Sequence, residues 1–233
     1  AENRAVGRTL GIRLRRLENL DLAGADGVAL VDTQPEARNH SAPGSLPVLI
    51  CVDHHPRLTC GAPVPWFDVR PEGGCTSSIV LGYLDARGVE VGPPLATAVL
   101  YALKTDTRDL SREAHPQDLR TWARVSPVAD MGILGEIVHP RLDAGYFHML
   151  HRALRVAQVH DDAVIAFVGP LPYPDLVAEF ADLFVRRKGS RWCLCGGIYR
   201  GALRLSLRTE DPSRQAGQLA QELAHAHGGA AGG

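Results

Sequence analysis

The sequence predicts an α/β protein in which a parallel-sheet domain with flanking helices precedes a smaller α/β domain. Three observations predict it. The apolar runs Val28 to Val31 and Val48 to Val52 each close on an acid, Asp32 and Asp53, as strands do when a parallel sheet gathers its polar residues along one edge. Stretches of helical period follow them, the alternation that builds βαβ units. Beyond about residue 159 the pattern becomes alternating strands flanking Arg200-Gly201, the mark of a hairpin with one covered face. The expected division is a first domain over residues 1 to 144, a linker helix over 145 to 158 and a second domain over 159 to 233.

The chain of 233 residues is long enough for two modest cores. Its 45% hydrophobic and 22% charged content is that of an ordinary globular protein, and no apolar run approaches the roughly 20 residues a membrane span requires. Ala1-Glu2-Asn3-Arg4 does not begin a secretory signal, so the expected compartment is the cytoplasm, with no membrane partner. A net charge of −1 excludes a globally basic nucleic-acid binder but allows a local basic patch. The five cysteines (Cys51, Cys60, Cys75, Cys193 and Cys195) contain no Cys-x-x-Cys pair, so buried thiols are expected rather than a zinc site.

In chain order, Leu10, Ile12, Leu14 and Leu17 among arginines fit a short strand or helix that starts in mid-fold. Val28 to Val31 reads as a buried strand. Pro47 to Val52 reads as one buried on both faces, stopped by Asp53-His54-His55-Pro56. Arg57 to Gly74, rich in proline and glycine, reads as irregular. A helix capped by Thr76 or Ser77 is expected to end near Gly88, and another to run from Pro94 to Lys104 and stop at Thr105-Asp106-Thr107. Further helical patterns cover about 115 to 126, 133 to 139 and 145 to 158. The second half reads as a strand at Ala163 to Val168 and a helix at Asp175 to Arg187, with Leu176, Phe180, Leu183 and Phe184 inward. The hairpin Trp192 to Tyr199 and Ala202 to Arg208 follows, then a helix over about Ser213 to Ala226.

An acid and two imidazoles at the end of a buried strand point to a site, because ligands of open parallel sheets bind at that edge. The competing reading is a solvated loop that happens to contain two histidines. Asp32, His54 and Asp106, each at an element terminus, are the expected metal ligands. Two carboxylates and one imidazole suit a divalent ion such as manganese, with water completing its shell. Asp53 is expected to orient His54 from behind, and His55 to donate to a substrate phosphate oxygen. In the second half, Arg204, Ser206 and Arg208 alternate with Leu203, Leu205 and Leu207. This predicts a row of phosphate-binding groups about 6.5 to 7 Å apart on an open face, backed by buried leucines. Its competitor is a solvated edge kept soluble by arginine.

These motifs resemble the DHH family of phosphoesterases. The resemblance is carried by Asp53-His54-His55, the upstream Val31-Asp32-Thr33-Gln34-Pro35, Gly74-Cys75-Thr76-Ser77, Lys104-Thr105-Asp106-Thr107, and the Leu205-Ser206-Leu207-Arg208 strand with the glycine-rich tail Gly228 to Gly233. The two-domain form is similar to the nanoRNase, 3′-phosphoadenosine phosphate phosphatase and cyclic-dinucleotide phosphodiesterase types. It implies that two Mn²⁺ ions are held with Asp32 bridging them and with His54 and Asp106 on the second. It further implies that His55 contacts substrate, and that Arg204, Ser206, Arg208, Gly228 and Gly229 grip a short oligonucleotide, a dinucleotide or a nucleoside bisphosphate. A homodimer is a further possibility. Two departures stand out. The family's first motif, a strand ending in Asp-x-Asp that supplies the remaining ligands of one ion, has no counterpart before Asp32, and the histidine the family places between the glycine pair and Ala-Ala-Gly is absent. The expectation is therefore a chain lacking segments at both ends or, alternatively, a degenerate member that binds nucleotides with an incomplete site.

Overall fold

The computed structural model describes residues 2–37, 39–112, 114–211 and 216–229. They form two compact units, Ala1–Arg141 and Leu142–Gly233. The architecture is mixed α/β, with a parallel three-stranded sheet and flanking helices in the first unit.

In the first unit, α1 (Glu2–Thr9) precedes three strands, β1 (Val28–Val31), β2 (Val48–Asp53) and β3 (Trp66–Val69). All pair in parallel with β2 in the centre. The register sets Val31 opposite Val52, and the Asp32 amide continues the ladder by donating to the Val52 carbonyl at 2.9 Å. Both acid-terminated strands thus end at the same edge. Four helices follow, α2 (Thr76–Ala86), α3 (Pro93–Asp106), α4 (Pro116–Val125) and α5 (Met131–Val138). α3 opens on two prolines, whose fixed φ suits a first helical turn and whose missing amides would have had no partner there. Leu81, Leu100, Leu103, Val125 and Ile137 bring the four helices onto one core.

Several expectations are corrected. β1 is an edge strand with Val31 exposed, and in β2 burial is complete only over Cys51, Val52 and Asp53, with Ile50 exposed, so neither run is buried on both faces throughout. The stretch 57 to 74 is not wholly irregular, because Trp66–Val69 adds the third strand despite its flanking prolines. The cap of α2 is Cys75, in extended conformation, and Thr76 is the first helical residue.

The second unit runs α6 (Ala144–Val156), β4 (Gln158–His160), β5 (Ala163–Pro170), α7 (Leu176–Phe184), β6 (Trp192–Tyr199), β7 (Ala202–Thr209) and α8 (Ala216–Ala226). The sheet order is β4-β5-β6-β7, with β5 and β6 parallel and the outer pairs antiparallel. The hairpin turns on Arg200 and Gly201, both at positive φ, as a two-residue link matched to strand twist requires. α6 and α7 cover one face, where Ala153, Val164, Phe180, Cys193 and Cys195 are buried together. Leu183 points outward, contrary to the sequence reading.

The face reading of β7 holds for Arg204 and is inverted at Ser206 and the leucines beside it. Leu203 and Leu205 are exposed at 55% and 53%, and it is Ser206 that is buried. The cause lies in the partner strand. Ser206 is opposite buried Cys195, while Leu205 lies opposite Gly196, whose missing side chain leaves room for Leu205 and Phe167 to lie over it.

Phe180 is fully buried, with ring centroids 5.9 Å from Tyr146 and 6.4 Å from Phe184. Phe180→Ala is expected to destabilise the second unit by about 3–5 kcal/mol, measured by urea unfolding.

Candidate active site

At the shared strand edge, Asp53 is the fixed point. Its carboxylate is buried and accepts three hydrogen bonds: from the His54 amide at 2.9 Å, from the His55 ring Nδ1 at 2.8 Å and from Gln34 Nε2 at 2.7 Å. Burial alone raises the pKa of this acid. The bonds from His55 and Gln34 outweigh burial and hold it below the usual carboxylate range. Gln34, itself buried, also donates to the Pro56 carbonyl at 3.0 Å and accepts from the Leu58 amide at 2.8 Å, so one side chain clamps the turn that follows the histidines.

The two histidines are held by different groups. His54 Nδ1 lies 3.3 Å from the Gly73 carbonyl. A carbonyl only accepts, so Nδ1 donates to it, and Nε2 lies 3.5 Å from Asp32 Oδ1. Asp53 therefore orients His55, not the ring of His54 as the sequence reading had it. His55 has a raised pKa, first through its bond to Asp53 and further through the charges of Asp32 and Asp106, despite partial burial that opposes the shift.

Asp32 stands exposed just past β1 in the left-handed region, φ 63°, a conformation that costs a non-glycine residue of order 1–2 kcal/mol. Thr76, buried at the start of α2, donates to its Oδ1 at 2.8 Å. Asp32, His54 and His55 each offer a ligand atom within 4.8 Å of the others, which is the spacing a single cation spans. Asp106, at the end of α3, falls outside that group. It shares with Asp32 the lining of a pocket of about 390 Å³, whose other walls include Thr76, Val80 and Leu84. Burial raises its pKa, with the Asp32 charge adding to this, and a hydrogen bond from the Cys75 thiol and the charges of His54 and His55 opposing it. Beyond it, Arg108, Asp109 and Leu110 all take positive φ, and the buried Thr107 hydroxyl accepts from the Leu110 amide at 2.9 Å to hold that turn.

The groups the structure gathers, the Asp32 carboxylate and the His54 and His55 imidazoles, are donors that a divalent cation accepts. Asp106 shares a pocket lining with Asp32.

The second unit brings its expected residues together less completely. Arg204 is exposed on β7, but Arg208 Nε is paired with Asp182 of α7 at 2.6 Å and Ser206 is buried with its hydroxyl unpartnered. Gly228, at φ 68°, and Gly229 close α8, where the Gly229 amide donates to the Ala224 carbonyl at 2.7 Å. The tail Ala230-Ala231-Gly232-Gly233 lies outside the described residues.

Sequence reasoning missed Gln34, Cys75 and Asp118. Gln34 followed an acid at a strand end, but only the fold shows that it reaches Asp53. Asp118, fully buried, accepts from the Gly74 amide at 2.9 Å and from Ser78 Oγ at 2.6 Å. The Pro116-Gln117-Asp118 helix start was legible as such, but not its reach across more than 40 residues of sequence.

No family model matches the chain. An uncharacterized protein of Methanocaldococcus jannaschii is 30% identical over 220 residues, which is 94% of this chain and 45% of that protein. The chain thus spans less than half the length of this relative. Among solved structures, an exopolyphosphatase-related protein from Bacteroides fragilis superposes with a TM-score of 0.64 at 14% identity, covering 78% of this chain and 56% of that one. A family II inorganic pyrophosphatase candidate from Methanococcus jannaschii gives a TM-score of 0.52 at 15% identity, covering 90% and 76%. At these identities the likeness shows the fold. No described helix is long and apolar enough to cross a membrane.

Two outcomes are expected. Gln34→Ala leaves the Asp53 carboxylate short of a donor and lowers stability by about 1–3 kcal/mol in chemical unfolding. In the metal-free protein, the Asp53–His55 bond raises the folded pKa of His55 above its unfolded value of about 6.5. Its stabilising contribution is therefore complete below that value and is lost as pH rises through the folded pKa. Thermal melts across that range should show the decline in the wild type and not in His55→Gln.

Proposed function

We propose that the chain is a metal-dependent phosphoesterase, with Asp32, His54 and Asp106 as metal ligands and His55, backed by Asp53, as the group that meets the substrate phosphate. The observation that carries this reading is the convergence of Asp32, His54 and His55 within 4.8 Å at the strand edge of an α/β sheet. When bound, manganese lowers the pKa of a coordinated water and neutralises phosphate charge. Two ions are proposed.

The residues' own contributions follow from their contacts. The Gly73 carbonyl holds His54 with Nε2 outward and Thr76 holds Asp32 toward it, so both ligands are oriented before any ion arrives. His55 directs Nδ1 to Asp53, which leaves Nε2 to face solvent and substrate. Its raised pKa keeps a proton available there to donate to a phosphate oxygen. In the second unit Arg204, Ser206, Arg208, Gly228 and Gly229 are proposed to bind substrate, Arg208 once its pair with Asp182 opens. The proposed substrates are short oligonucleotides, dinucleotides or nucleoside bisphosphates. The two similar solved structures, an exopolyphosphatase-related protein and a family II inorganic pyrophosphatase candidate, add polyphosphate and inorganic pyrophosphate to the candidates. The proposed setting is the cytoplasm, as a monomer or homodimer.

A second reading, a nucleotide-binding module with an incomplete centre, draws on one observation. The described residues contain a single three-donor cluster, and Asp106 is outside it.

The two readings separate on manganese stoichiometry and turnover. Calorimetric titration is expected to show two ions per chain, and hydrolysis of dinucleotide, bisphosphate or pyrophosphate substrates should depend on added Mn²⁺. Asp32→Asn and His54→Ala should each abolish that hydrolysis and leave circular dichroism unchanged. Normal turnover in either variant removes the ligand assignment, and uptake of one ion without turnover favours the binding module.

A further inference from the structure

Three of the groups proposed to hold metal are each touched by one short segment, Gly73 to Thr76. The Gly73 carbonyl accepts from His54 Nδ1 at 3.3 Å, the Cys75 thiol bonds to the Asp106 carboxylate, and Thr76 Oγ1 donates to Asp32 Oδ1 at 2.8 Å. The segment joins β3 to α2, and its backbone and side chains contact all three of these groups. What holds the segment is a residue of another helix. Asp118, fully buried in the first turn of α4, accepts from the Gly74 amide with one oxygen and from Ser78 Oγ with the other. The same residue also accepts from the His115 amide at 2.9 Å, and neighbouring Gln117 donates to the Ser78 carbonyl at 2.9 Å.

We infer that Asp118 is a positioning residue for the metal site, acting through the Gly73–Ser78 segment to set where His54, Asp106 and Asp32 stand relative to one another. A buried carboxylate needs its donors, because leaving either oxygen unpaired in a dry interior is costly. With the Gly74 and His115 amides on one oxygen and Ser78 Oγ on the other, Asp118 clamps the segment at Gly74 and at Ser78, on either side of Cys75 and Thr76. An ordinary helix cap would require only the His115 amide. The reach to Gly74 and Ser78 goes beyond capping. Groups that orient metal ligands typically contribute 10- to 100-fold to metal affinity.

The inference rests on the proposed metal site, and the test keeps the two apart. Mn²⁺ affinity is measured by calorimetry on the full chain for the wild type, Asp118→Asn, Ser78→Ala and Ile137→Val, with metal-free melts in parallel. Ile137 is buried in the same core and its apolar side chain makes none of the hydrogen bonds that hold the segment, so its variant reports what lost stability alone does. The expected result is a 10- to 100-fold weaker Kd in Asp118→Asn and Ser78→Ala, with Ile137→Val lowering Tm but leaving Kd within threefold of wild type. Amide exchange at Gly74 should accelerate in the first two variants. Should Asp118→Asn not fold, Ser78→Ala decides. Wild-type affinity in the Ser78 and Asp118 variants overturns the positioning role and leaves the metal site standing. An equal loss in Ile137→Val overturns it too, and a wild type that takes up no Mn²⁺ overturns both readings.

Discussion

The site depends on a buried carboxylate that has donors on every side. Asp53 ends the central strand inside the protein, where an unpaired charge is not tolerated, and it is stable there because the His54 amide, the His55 ring and the Gln34 amide group all donate to it. That requirement fixes the backbone course after β2, the face His55 presents and the depth of Gln34. The polar end of the strand is thus a consequence of satisfying one acid. The chemistry proposed for the site uses the groups this acid has already oriented.

A second buried acid repeats the logic at a distance. Asp118 is surrounded by the Gly74 amide, the Ser78 hydroxyl and the His115 amide, and through them α4 supports the segment that touches Asp32, His54 and Asp106. Strained backbone occurs at Asp32 and just beyond Asp106. Asp32 and the run Arg108 to Leu110 hold left-handed backbone that L-residues ordinarily avoid. Such conformations persist where surrounding contacts over-determine them. Here the Asp32 amide bonds to the β2 ladder, Thr76 holds its side chain, and the Thr107 hydroxyl ties the Leu110 amide.

The second unit shows how a strand's pattern can be read correctly and its sides reversed. Alternation in Leu203 to Arg208 identified β7 and its hairpin to within one residue at the strand's end, because period two and the Arg200-Gly201 turn are local properties. Which side was covered depended on neighbours. The helices pack on the face of Cys193 and Cys195, so the serine is buried there, Arg208 pairs with Asp182 of α7 at the exposed margin, and Leu203 and Leu205 turn out.

The sequence by itself determined the α/β class, the strand ends that carry Asp32 and Asp53, the helix near Asp106 and the hairpin. Each of these is written in local periodicity, in proline and glycine punctuation and in acids that interrupt apolar runs. Only the tertiary structure decided that His54 answers to Gly73 and His55 to Asp53, that Gln34 and Asp118 are buried clamps, and that β3 joins the sheet. The physical reason is sequence separation. A buried polar side chain is satisfied by whatever donor the packed fold brings within about 3 Å, and no local pattern encodes a partner 44 residues away.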